Sequence, residues 1–262
     1  MTHAHHPGGV LLPLLVVVAA AGYAILTAIT PGWPGRRILS FLTGAVLLVA
    51  GLMPGMSPWP AGDFRTHMLQ HLLIGMLAPL ALVLGAPMTL LLRAIPRRAG
   101  RVVGRLLRSR AVHAVANPVV ALTLNLGGIA VLYLTPLYAA TVRDPALHLL
   151  VHVHFLLAGY LFAWVVAGPD PAPRRPAVPV RLVILGVAIA FHAIFSQLMF
   201  AGLFVDLPVP RAEREGGAEL MYYGGDIAEL LLAAALVTRW RPRRQGTNTA
   251  RTQSSFLSLK MR

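Results

Sequence analysis

Seven apolar stretches, each about as long as a helix that crosses a bilayer core, leave this chain little choice of fold. They run Val10–Ile29, Ile38–Met56, Met68–Leu92, Val119–Leu137, Ala146–Val166, Val180–Leu203 and Leu220–Thr238. The runs are continuous and rich in Leu, Val and Ala. A membrane β-barrel would instead alternate apolar and polar residues in strands of about ten. The expectation is an all-α, polytopic membrane protein: a seven-helix transmembrane bundle over residues 1–238, followed by a basic, disordered tail over 239–262. With 56% hydrophobic and 12% charged residues and a mean hydropathy of +0.69, a soluble domain is excluded. Ala19-Ala20-Ala21 resembles a signal-peptidase site, but no Lys or Arg precedes the long first run, so it reads as an uncleaved span.

The positive charge of the chain lies between the spans. Nineteen Lys and Arg fall in the alternate connections that include Arg93–Arg110 and Arg239–Arg262, against four on the other side. The positive-inside rule then places the N-terminus outside and the C-terminus in the cytoplasm. The net charge of +14 flanks apolar spans without an interleaved aromatic platform, so it fits topology and anionic headgroups, not nucleic acid. Pro79, Pro87 and Pro136 lie within or near the ends of spans and should kink them. No cysteine is present, which removes disulfides, thiolate ligands and thiol redox chemistry.

The histidines carry the functional signal. His67/His71 and His148/His152 are two H-x-x-x-H pairs, one opening the third span and one the fifth. Residues four apart share a helix face, so each pair can chelate one metal or offer an axial ligand to haem. At 1.5 Å rise per residue, His71 lies about 6 Å deeper than His67, and His154 points elsewhere. On the sixth span His192 shares a face with Ser196 and Met199, whose thioether could add a ligand. On the last span Glu219, Tyr222 or Tyr223, Asp226 and Glu229 descend one side, as bundle glue or as a proton or metal relay. Intramembrane histidines also serve as interhelical hydrogen-bonding groups, so a purely structural polar network stands beside the metal or haem reading. Met68, Met76 and Met88 read as packing residues. His3, His5 and His6 form a short tail that could collect a metal ion or do nothing.

The strings HMLQHLLIGMLAPLALVLGAPMTLLLRAIP (His67–Pro96), HLLVHVHFLLAGYLFAWVVAGPDPAP (His148–Pro173) and FHAIFSQLMFAGL (Phe191–Leu203) resemble the multi-spanning CtaG-type cytochrome c oxidase assembly factors of bacteria. The last span departs from that pattern: Gly224-Gly225 precede Asp226 and no Gln adjoins it. The resemblance implies a multi-pass protein of the bacterial plasma membrane, an assembly factor more than an enzyme. It implies cytochrome c oxidase subunits as partners and a role in maturing haem-copper oxidases, through their copper centres. The single-span, cysteine-bearing copper chaperone of the same name is excluded by the lack of cysteine. On this reading His67, His71, His148 and His152 form an outward-facing copper site, with His192, Asp226 and Met199 as surrounding groups or further ligands. Two alternatives stay open: an intramembrane zinc hydrolase using Ser196 and Asp226, and a b-type haem protein ligated by one histidine from each of the third and fifth spans. No phosphate loop, dinucleotide fingerprint or nucleophile elbow sits in a credible context.

Overall fold

The computed structural model describes residues 8–60, 62–173, 175–205 and 207–238. The His3, His5 and His6 tail and the basic segment 239–262 lie outside the described residues, as does Arg174. Among the described residues every regular element is helical, without strands. Chain order is α1 (Gly8–Ala28), α2 (Gly35–Leu52), α3 (Phe64–Leu72), a π-helical turn (Leu73–Leu77), α4 (Ala78–Leu84), α5 (Pro87–Ala94), α6 (Arg97–Leu107), α7 (Arg110–Val115), α8 (Pro118–Leu134), α9 (Leu137–Arg143), α10 (Pro145–Ala167), α11 (Val178–Ala201) and α12 (Arg211–Val237). A short 3-10 turn, Pro54–Met56, precedes α3.

Among the described residues, six helical spans are long and apolar enough to cross a membrane, and there are up to seven if a bent pair counts as one. The fourth expected span, Val119–Leu137, is the bent pair. α8 has 17 residues, about 25 Å of helix, short of the roughly 30 Å hydrocarbon core. α9 then turns away from it by 78°. Pro136 sits at that corner, where the pyrrolidine ring removes a backbone donor and restricts the preceding residue.

The third expected span, Met68–Leu92, is one run from Phe64 to Ala94, interrupted where its prolines fall. Pro79 has no N–H to give the carbonyl of Gly75, and the π turn lies immediately before it, with the Ala78 N–H reaching back to the Leu73 carbonyl. α10 comes close to the Gly75 carbonyl: a Cβ on Gly159 would collide with that oxygen. Before Pro87 the chain breaks at Ala86, held at φ 55°. The new helix end is capped at a distance by buried Asp170, which accepts from the Met88 and Thr89 N–H groups and the Thr89 hydroxyl.

α10 sits at the centre. It packs against α8, α9, the π turn, α4, α11 and α12, while α2 covers α4 and α1 lies outermost on α2. Phe64, Val151, Phe155, Phe195, Met199, Ala218 and Met221 belong to one buried cluster with Tyr133 and Tyr138. This cluster gathers the first turns of α3, α10 and α12 with the last turns of α8 and α11, so these ends share one end of the bundle. Glycines allow the close contact of α12 with α3: Gly217 faces the Phe64 ring and Gly224 the Leu72 side chain.

Candidate metal centre

Both histidine pairs begin from an aspartate. Asp63 caps α3, accepting from the Arg65 N–H at 2.8 Å, and Asp144 caps α10, accepting from the Ala146 and Leu147 N–H groups. The first histidine of each pair is the fourth residue after its cap, and its N–H closes the first helical turn on the cap's carbonyl: His67 on Asp63 and His148 on Asp144. The spacing Asp-x3-His-x3-His, present twice, therefore places both pairs one and two turns inside their helices. The Arg65 guanidinium, 2.6 Å from Asp63, holds that carboxyl below its ordinary pKa.

The four rings form a quadrilateral. Ring centroids lie 4.2 Å apart for His67 and His71 and 4.3 Å for His148 and His152. Across the α3–α10 interface they lie 5.7 Å apart for His67 and His148, and 5.7 Å for His71 and His152. His67, His71 and His152 are buried and His148 is half-buried. Phe155 covers His71 from below, its ring 4.3 Å away. Tyr138 stands 5.0 Å from His67, and Tyr133 lies over 6 Å from both histidines of α3.

The hydrogen bonding of these rings bears on the expected readings. His67 Nε2, His71 Nδ1 and Nε2, His148 Nε2 and His152 Nε2 are buried without a hydrogen-bond partner, and so is the Tyr133 hydroxyl. Each such group costs about 1–3 kcal/mol relative to a satisfied one. A network kept as interhelical glue would satisfy its members; here imidazole nitrogens from two helices face one another unpaired. As arranged, no three His, Asp or Glu side chains among the described residues meet the geometry of a formed metal site. The edges of the quadrilateral lie near the separation that an ion would impose. Imidazole nitrogens about 2.0–2.1 Å from a tetrahedral ion put ring centroids roughly 5 Å apart, within the span of the observed edges.

The remaining expected groups divide. His192 lines a cavity of about 40 Å³ together with His71, and its Nδ1 lies 2.6 Å from Glu229 Oε1. Both residues of this pair are buried, and Glu229 Oε2 has no partner. The carboxylate that meets His192 is thus Glu229 and not Asp226. At about 100° per residue, three positions carry Asp226 some 60° around the helix from Glu229. Asp226 is half-buried, and Glu219 and Tyr223 above it are exposed. Ser196 Oγ donates to the His192 carbonyl, so it is bound back to its own helix. Met199 is fully buried among the aromatic residues of the cluster described above and does not line the cavity beside His71. His154 bonds the Leu124 carbonyl on α8, away from the four rings.

Several residues near the site carried little signal in the sequence. Tyr133, Tyr138 and Asn125 come from the bent fourth segment, and Asn125 is buried beside both His192 and Glu229, lining the two small cavities that flank them. The repeated Asp-x3-His-x3-His pattern was the signal that could have tied the caps to the histidines.

No solved structure matches the chain. It is 32% identical over 246 residues to uncharacterized proteins of Mycobacterium bovis and Mycobacterium tuberculosis, covering 87% of this chain and 37% of each relative. An uncharacterized protein of Mycobacterium leprae is 29% identical over 239 residues, covering 84% of this chain and 36% of that protein. The chain therefore spans little more than a third of the length of these curated relatives. The family model described as cytochrome c oxidase caa3 assembly factor (Caa3_CtaG) matches residues 12–243. With that match over most of its length, the chain belongs to the family described as cytochrome c oxidase caa3 assembly factors.

Proposed function

We propose that this protein serves oxidase maturation by handling copper at His67, His71, His148 and His152, in the outer half of a bacterial plasma-membrane bundle. The observation that carries this reading is the set of five buried, unpartnered imidazole nitrogens shared by α3 and α10. Copper suits a donor set of imidazole and optional thioether without thiolate, because such ligands hold either oxidation state. The centroid separations of 4.2–5.7 Å along the four edges bracket the roughly 5 Å expected around a tetrahedral ion. His192 and Glu229 lie beneath as a hydrogen-bonded pair that can offset the charge of an ion above them. The arginine-poor connections lie at the histidine end of the bundle, which supports an extracytoplasmic opening where oxidase subunits would receive the metal.

The alternatives fit less well. A porphyrin needs several hundred cubic ångströms between its axial ligands, whereas the cavity beside His71 is about 40 Å³ and Phe155 is packed on that ring. A hydrolytic zinc site keeps a coordination position open for water; four imidazoles would close it, and Ser196 is engaged with a backbone carbonyl. The test is the double variant H71A/H152A, assayed for copper in the purified protein and for oxidase activity in the host membrane. Loss of bound copper together with at least a tenfold drop in active oxidase is expected. Full oxidase maturation in that variant would reject the site.

A further inference from the structure

The cavity beneath the four histidines is lined by three methionines. Met68, Met76 and Met221 border it, together with His71, His192 and Asn125. The chain has nine methionines, so a third of them converge on a space of about 40 Å³, room for a bare ion and one or two water molecules. A methionine that acts only as filler occupies its gap; these three leave one open. Met68 and Met221 are buried and Met76 half-buried.

The π turn is what brings Met76 to this place. In a regular α-helix, five residues would rotate Met76 about 140° away from His71. The wider turn over Leu73–Leu77 delays that rotation, and Met76 borders the same cavity as His71. Met221 arrives from α12 and His192 from α11, so four chain segments contribute donors. Ring walls close the remainder: Phe155 and Tyr133, with Leu72, Gly75 and Ile129.

Thioethers are soft ligands that favour monovalent copper, while zinc and hard divalent cations select imidazole, carboxylate or water. We propose that this cavity is a second, deeper ion site, specific for monovalent copper, with Met68, Met76 and Met221 as sulfur donors beside His71 and His192. It deepens the copper reading above and rests on it. His71, with both ring nitrogens unpartnered, belongs to the upper quadrilateral and to this lower chamber, and is the ligand through which an ion passes between them.

The test loads the purified full-length protein, reduced and in detergent, with Cu(I) alone and, separately, with Zn(II) alone. X-ray absorption then reports the donor atoms. Copper–sulfur scattering is expected in the wild type. It should fall to the contribution of Met68 alone in M76L/M221L, with Cu(I) affinity lowered about tenfold, or roughly 1.4 kcal/mol, and zinc binding unchanged. Met-to-Leu exchange conserves volume and is usually tolerated in cores; should the double variant not fold, M76L and M221L singly carry the same test. Copper bound with nitrogen-only scattering in the wild type overturns the sulfur site and leaves the four-histidine site standing. Absence of bound copper overturns both.

Discussion

His192 and Glu229 illustrate how a buried polar pair is read from its partners. Their 2.6 Å contact lies in the core, with side-chain exposures of 3% and 2%, where a charge left without its counterpart is expensive. Removing one member of such a pair costs about 3–5 kcal/mol, whereas replacing both by apolar residues of similar size is often close to neutral. Glu229→Ala is therefore expected to lower thermal stability in detergent strongly, and H192F/E229L to recover most of the loss. A Glu229→Ala variant as stable as the wild type would show that the pair carries no net structural weight. The two H-x-x-x-H pairs were legible because helical spacing alone puts residues four apart on one face. Glu229 was not separable from Asp226 by such reasoning. The two residues differ only in angle around α12, and the identity of the buried face is settled by the packing of α12 on α11 and α3.

Among the helices, the interrupted run from Phe64 to Ala94 does most to set the geometry of the site. Its prolines were visible as kinks, and the kinks are present, but their form was not: one is a π turn and the other a break with a left-handed residue. The contact of Gly159 with the Gly75 carbonyl holds α10 against the π turn, two helical turns below His152, and so sets how far the two histidine pairs stand apart. Gly159→Val should force these segments apart, costing about 1–3 kcal/mol as overpacking does and, on the proposed function, weakening copper retention although no proposed ligand is touched. Unfolding midpoints and copper content of the purified variant check this; unchanged values in both would show that the interface yields without moving the rings. The fourth expected span shows the limit of reading by hydropathy. An apolar window does not register that the chain turns by 78° after α8, and it is this corner that delivers Tyr133 and Tyr138 to the histidines.

At the scale of the whole molecule, the distribution of arginine makes a prediction about topology. Reporter fusions within 97–110 should report a cytoplasmic location and fusions within 136–144 an external one; the opposite result would put the histidine end of the bundle on the cytoplasmic side and remove its access to an extracytoplasmic copper acceptor. All-helical class, membrane residence and the likeness to oxidase assembly factors were available from residue order, because bilayer thickness and the cost of unpaired backbone groups in hydrocarbon act on any apolar run of sufficient length. The Asp caps and the four-residue spacing likewise act within one helix. Which side chains from different helices meet is a matter of rotation and approach between them. That choice rests on the packing of Gly159 on Gly75, of Gly217 on Phe64, and on the extra residue in the π turn. Those contacts place four imidazoles together, pair His192 with Glu229 and open a methionine-lined chamber below, and no periodicity along the chain encodes them, since each depends on the shape of a neighbour distant in sequence.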